Sequence, residues 1–442
     1  MPWRAITLIT LTGVVLGCLW AVSASAQTPL PLTLATVQRA KNILQEQVNE
    51  ESKLPLAKRP IVNSRNAALN VSLAAWNEQT DEVIIIELTK QAKKATVKSP
   101  AGLTVKVLRD NGVNSEFEIV GRPELHVLAL KHPIFTDIGT AKRPRFRLEN
   151  AAYVPYSDFL ATPEIVAAGA EYLNSNVQAV YDELTALGVR SKAFPDRSLA
   201  QAIEPNLVKA IIAIEHVSAA SLLNGELKDY LKVFYVILAG NRHQAYAYSR
   251  STASARGLVQ FIPSTYNRLV KSRPDLTLVK NFEQGMTDPY NAIKAELALL
   301  DYNLTLLPSA VRQQHISDER TIGAYSAAIY NGGSTRVRRS IARWGDSWAK
   351  DHAADLSAFK KSSQTLTTEV SRLKKALTSK KLTTKDKAGL NAKLKTAQAE
   401  LAKAKTNYAS GLNTSLKSET VKYVAKYYLA YDYFSQPSGP LQ

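Results

Sequence analysis

Cysteine is almost missing from this chain: Cys18 is the only one in 442 residues. It sits in an apolar stretch near the start, and the rest of the chain has no thiol. Disulfides, thiolate metal sites and cysteine nucleophiles are therefore excluded from the chemistry of that remainder. Histidine is scarce too, with six residues and no His-x-x-x-His pair, so neither a metal nor any other cofactor is expected. Acidic side chains are in deficit, 38 against 56 basic ones, which leaves a formal charge of +18. A hydrophobic content of 45% with 21% charged residues nonetheless describes globular modules, and the length is enough for several cores.

The first residues decide the expected compartment. Arg4 gives a short positive start, residues 6–20 are nearly uncharged and apolar, and Ala24-Ser25-Ala26 is a small-residue cleavage signature. The run is short for a bilayer span. Residues 1–26 are therefore expected to be a secretory signal cleaved after Ala26, sending the protein to the periplasm or cell envelope. Leu16-Gly17-Cys18 offers lipoprotein acylation as the weaker alternative, because apolar residues continue through Val22. On an exported protein the positive charge favours wall polymers, lipopolysaccharide or acidic headgroups over nucleic acid.

Three textures follow one another. Residues 34–51 have a helical pattern, and then Val83-Ile84-Ile85-Ile86 and the alternating Leu103, Val105 and Val107 indicate strands. Asp110-Asn111-Gly112 before Phe117-Glu118-Ile119-Val120 is a hairpin turn signal, since Asn and Gly tolerate positive φ. This small β module shows no acid pair, metal cluster or phosphate loop, and a docking or spacer role is expected of it. Beyond Pro155 the chain turns helical. Between about 350 and 410, apolar residues recur in steps of three and four, including Leu366, Val370, Leu373, Leu377, Leu390, Leu394, Ala397 and Leu401. Thr383 and Thr384 are candidate helix caps between the two runs. The pattern predicts an antiparallel helical hairpin whose outer faces carry Lys374, Lys375, Lys380, Lys381, Lys385 and Lys387.

One carboxyl stands out by its place. The helix over 207–215 is apolar apart from Lys209 until it ends at Glu215, and a carboxyl at the edge of an apolar surface can hold its proton near neutral pH. Proton delivery to a glycosidic oxygen needs such a group. Downstream come Ser251, then Gly257-Leu258-Val259-Gln260-Phe261-Ile262-Pro263-Ser264-Thr265, Asp288-Pro289, Tyr330-Asn331-Gly332-Gly333 and Glu419-Thr420-Val421-Lys422-Tyr423-Val424.

In the order and spacing of these elements the chain resembles the goose-type-lysozyme-like lytic transglycosylases of the soluble lytic transglycosylase family. Two positions depart within the second element, where Ser254 replaces a Gly and Val259 a Met. His216 follows Glu215 where the family has Ser, and the gap from Glu215 to Gly257 is longer than usual. The resemblance implies Glu215 as the catalytic residue, His216 as its neighbour, and Ser251, Gly257, Leu258, Gln260, Tyr330, Asn331 and Tyr423 as substrate-binding residues. It implies cleavage of the β-1,4 bond between N-acetylmuramic acid and N-acetylglucosamine in peptidoglycan, leaving 1,6-anhydromuramoyl ends. One Glu acts first as acid and then as base, and no second acid stands out in the matched motifs. A lysozyme-type hydrolase and a non-catalytic peptidoglycan-binding or assembly protein are the alternatives.

The expected fold class is α+β. A mainly β module over 27–155 is followed by a helical linker over 156–197. A lysozyme-like domain then spans 198–345 and is interrupted by the lysine-rich hairpin over 346–414. A closing helix within 415–442 completes it. The expected partners are peptidoglycan strands and, through the basic hairpin, envelope-complex proteins or an anionic surface, with no nucleic acid.

Overall fold

The computed structural model describes residues 29–100, 102–140, 142–217, 227–314 and 317–436. The expected signal over 1–26, with Cys18, lies outside them. The fold is α+β: an antiparallel sheet curved into a half-barrel, then a helical part.

The sheet order is β1 (Ile61–Val62), β8 (Phe146–Tyr153), β7 (Leu125–Asp137), β2 (Leu69–Asn77), β3 (Val83–Gln91), β4 (Lys94–Ser99). Central β2 is buried along most of its length, and its register sets Leu73 against Ile86 on one side and Leu130 on the other. Irregularities between Ala74 and Ala75 and between Glu87 and Leu88 add the local bend and twist that curve such a sheet. The helix Leu34–Ser52 starts at the Thr33 cap and buries Val37, Ala40, Leu44 and Val48, a single stripe at helical spacing laid against β2, β7 and β8. β5 (Val105–Arg109) and β6 (Glu116–Ile119) form a separate two-stranded sheet, with Gly112 at φ +55° in the expected turn between them.

The sheet is tied to the helices by hydrogen bonds as well as by a shared core. The Asn241 amide accepts from Val154 N at 2.9 Å and donates to Val154 O at 2.9 Å, while Gln38 donates to Ala239 O and Gly240 O. Within the helical part, Pro163–Ala186 and Leu227–Asn241 approach so closely at Gly169 that a Cβ there would lie 2.0 Å from Tyr235 O. The Pro289–Thr305 helix is enclosed on nearly all sides. Asp288 caps its start by accepting from Tyr290 N at 3.0 Å, and Asn291, Lys294, Glu296, Asp301 and Asn303 are buried along with its apolar residues. Helices Ala353–Leu377 and Thr384–Thr414 pack against each other around Val370, Leu373 and Ala397, a cluster distinct from the main core. Thr383 caps the second in a reciprocal capping box with Asp386.

Candidate active site

The Pro205–Glu215 helix opens with proline at its first position, where the missing N–H costs nothing, and buries Leu207, Val208, Ile211, Ile212 and Ile214. Each of these large side chains contributes about 1.5–3 kcal/mol by leaving water, so the register that delivers Glu215 to the helix end is strongly fixed. The carbonyls left without a partner in their own helix at that end are satisfied from another helix, Ser418–Phe434. Lys426 Nζ donates to Ile214 O at 2.8 Å and to Val217 O at 2.6 Å, a cation at the negative end of a helix dipole. One turn earlier on Ser418–Phe434, the Tyr423 hydroxyl donates to Glu215 Oε1 at 2.5 Å. Burial raises the Glu215 carboxyl to a pKa of about 7, against the opposing pull of the Tyr423 hydrogen bond and the Lys426 charge. The group is thus held near half-protonation at neutral pH.

The 256–261 loop supplies the floor. Gly257 at φ +73° and Gln260 at φ +49° both take left-handed backbone, and Arg256 N reaches back to Phe261 O. A Cβ on Gly257 would lie 1.8 Å from Met286 O, so only glycine allows this approach. Two successive carbonyls of the loop then receive donors: Leu258 O from His216 Nε2 at 2.7 Å, and Val259 O from the Tyr330 hydroxyl. The Tyr330 and Tyr423 rings stack 6.3 Å apart at 12°. Asn331 is exposed and its Oδ1 accepts from Thr420 Oγ1 at 2.9 Å, which leaves its amide N–H groups for solvent or ligand.

Glu215, His216, Leu258, Tyr330 and Tyr423 are therefore linked by contacts, and Asn331, next to Tyr330 in the chain, is tied to Thr420 on the helix that carries Tyr423. Gln260 supports the loop from within, donating to Gly257 O at 2.8 Å and Ser249 Oγ at 3.2 Å. Ser251 is exposed and closes a turn by accepting from Ala255 N at 3.0 Å, with no contact to Glu215 among the described residues.

His216 is not a surface residue. Its ring stacks on Tyr246 at 3.6 Å and lies 5.9 Å from Phe234, and burial lowers its pKa to about 4. It is neutral at pH 7, so Nε2 carries the proton donated to Leu258 O. The side chain acts as a strut between the end of the Pro205–Glu215 helix and the loop.

A second acid lies buried near Glu215, outside the motifs that carry the family resemblance. Glu296, in the middle of Pro289–Thr305, is fully buried, neither carboxyl oxygen has a hydrogen-bond partner among the described residues, and burial and then the nearby Glu215 push its pKa well up. Glu296 also appears in the electrostatic surroundings of Tyr330 and Tyr423. The sequence signal was present but weak: Glu296 is flanked by Ile293, Ala295, Leu297 and Leu300, yet a lone Glu on a helix reads as a solvated face. Lys426 was also missed, although it lies one turn from Tyr423 on the same face. Among the described residues no cluster of three or more His, Cys, Asp or Glu side chains could hold a metal ion.

The pairing of a helix-end carboxyl with a tyrosine of the last helix, over a glycine-turned loop, can be set beside known families. Residues 193–352 match the family described as the transglycosylase SLT domain. This stretch is of the lysozyme-like lytic transglycosylase type. The match contains Glu215, the 256–261 loop, Glu296, Tyr330 and Asn331, and it ends before the helix that carries Tyr423 and Lys426. Curated proteins and solved structures give no match. An SLT domain implies peptidoglycan as the substrate and therefore an envelope setting. Among the described residues no helix is long and apolar enough to cross a membrane.

Proposed function

We propose that the protein is an exported peptidoglycan lytic transglycosylase in which Glu215 does the proton transfers. The observation that carries this reading is a carboxyl poised near pKa 7 at a helix end and fixed by the Tyr423 hydroxyl. Protonated Glu215 gives its proton to the oxygen linking N-acetylmuramic acid to the next N-acetylglucosamine, and the bond from that oxygen to the muramoyl anomeric carbon breaks. The carboxylate left behind takes the proton of the muramoyl 6-hydroxyl as its oxygen bonds to the same carbon. The 1,6-anhydro ring closes, Glu215 regains its proton, and no water is consumed. Tyr423 stabilises the transient carboxylate, which makes the base step accessible without a second ionised acid.

Glu296 does not turn this site into a two-carboxylate hydrolase. A hydrolase of that design needs its second carboxylate charged and in reach of water or sugar, whereas Glu296 is enclosed and its ionisation is suppressed.

The test is mass spectrometry of purified peptidoglycan digested by the mature protein and by Glu215→Gln. Anhydromuramoyl ends from the wild type and none from the variant are expected. Reducing ends would replace this reading with a lysozyme-type hydrolysis, and no product from either protein would leave a binding protein.

A further inference from the structure

A cavity of about 690 Å³ opens on the other side of His216, between the sheet and the helices. Its volume lies within the ~300–1,000 Å³ usual for ligand sites. One wall comes from the β module, including Arg65, Asn114 and His132, and the other from the 246–256 stretch that leads into the active-site loop. Its charge is one-sided. Arg65, Arg250 and Arg256 line it, and no Asp or Glu does among the described residues. Arg256 is paired at 2.7 Å with the exposed Glu283. Arg65 and Arg250 make no ion pair among the described residues, and Arg65 is held with its guanidinium 4.5 Å from the centre of the Phe146 ring. A guanidinium resting on a ring keeps its edge N–H groups for a carboxylate.

The cavity also offers unused hydrogen-bonding groups. His132 is 3% exposed, its Nδ1 donates to Pro133 O at 2.8 Å, and its buried Nε2 has no hydrogen-bond partner among the described residues. Burial lowers its pKa to about 4, so at neutral pH Nε2 is a bare acceptor suited to an N–H donor. Asn114 Oδ1 accepts from Tyr156 N at 2.8 Å, which leaves its amide donors. Of the rings that line it, Tyr246 is covered by His216, and Phe135 has the Arg65 guanidinium 5.5 Å from its centre. Guanidinium groups, amide donors and a free acceptor match an acidic peptide better than a neutral sugar.

We propose that this cavity, half of it built by the β module, binds the carboxylate-bearing peptide attached to the muramoyl lactyl group. The substrate would then be peptide-substituted strands rather than bare glycan. The inference rests on the peptidoglycan reading above and gives the β module its role: it recognises the peptide in a cavity lined by His216, the residue that follows Glu215 in the chain.

Isothermal titration of the wild-type mature protein with free L-alanyl-γ-D-glutamyl-diaminopimelate, and with the same peptide amidated at its carboxyls, tests it. Saturable binding of the acidic peptide, weakened by salt, is expected. Arg65→Gln and Arg250→Gln should each weaken it by roughly three- to tenfold, and the amidated peptide should not bind. Both arginines are exposed, so the variants should keep the wild-type melting temperature. Absence of binding, equal binding of the amidated peptide, or unchanged affinity in both variants would overturn the proposal. Product analysis on intact, peptide-bearing peptidoglycan keeps the two readings apart. Peptide binding without anhydro products removes the transglycosylase and leaves the peptide site, whereas anhydro products without peptide binding do the reverse.

Discussion

At the scale of single residues, the site balances one destabilising environment against two stabilising contacts. Burial alone would keep Glu215 protonated, while Tyr423 and Lys426 favour its charged form, and the outcome is a pKa of about 7 against an ordinary 4.5. Because folding raises this pKa, the neutral carboxyl supports the fold fully below about 4.5 and that support is lost as pH rises through about 7. A general acid with this pKa gives a rate that falls on the alkaline side of neutrality. Tyr423→Phe keeps the ring stacked on Tyr330 but removes the donor to Oε1, so the carboxylate is stabilised less and the pKa goes up. The alkaline limb of kcat/KM against pH should therefore move to higher pH by up to about one unit, with the maximum rate lowered by roughly ten- to a hundredfold as Glu215 loses its fixed orientation. A limb that stays in place or moves down would mean that Tyr423 does not set the Glu215 proton equilibrium.

At the scale of elements, the decisive contacts join pieces distant in sequence. The 256–261 loop must double back tightly for Leu258 O and Val259 O to meet His216 and Tyr330, and Gly257 makes that turn against Met286 O. Gly257→Ala puts a Cβ in left-handed backbone and in collision with a main-chain oxygen that cannot rotate away. A loss of about 2–4 kcal/mol in urea unfolding is expected, with kcat reduced because the loop carries the carbonyls that receive His216 and Tyr330; near-wild-type stability would show that the loop has room to shift. Much of this site was legible in the sequence: a hydrophobic helix ending in Glu215, Gly257 two residues before Val259, and Tyr330 beside Asn331. The sheet strands were legible through Val83-Ile84-Ile85-Ile86 and the turn at Asn111-Gly112. What stayed hidden depended on burial that local pattern does not report. Glu296 and Asp301 are lone acids five residues apart, on different sides of their helix, and each reads locally as a solvated charge, yet Pro289–Thr305 runs through the core and encloses both. The burial of His216 depends on Tyr246 and Phe234, which pack on it only in the folded chain.

At the scale of the whole molecule, part of the +18 charge is concentrated at one place. Lys374, Lys375, Lys380, Lys381, Lys385 and Lys387 are all exposed, around the turn between Ala353–Leu377 and Thr384–Thr414. The far part of this helix pair rests on its own small cluster of Val370, Leu373 and Ala397. Its base is attached through Arg336, which donates to Ser415 O at 3.0 Å, and Arg343, which donates to Ser410 Oγ at 3.3 Å. Changing the lysines therefore leaves both the active site and the attachment untouched. Exchanging all six for Gln should alter stability by less than about 1 kcal/mol, since exposed positions contribute little, and should leave cleavage of short soluble strands unchanged. Binding to insoluble wall polymer should weaken, and its decline with added salt should become shallower, because screened attraction between exposed charges is what the exchange removes. Sedimentation of the variant with wall sacculi across a salt series reads both effects. A salt dependence equal to the wild type's would place the electrostatic contact elsewhere, with the arginine-lined cavity beside His216 as the next charged surface to test.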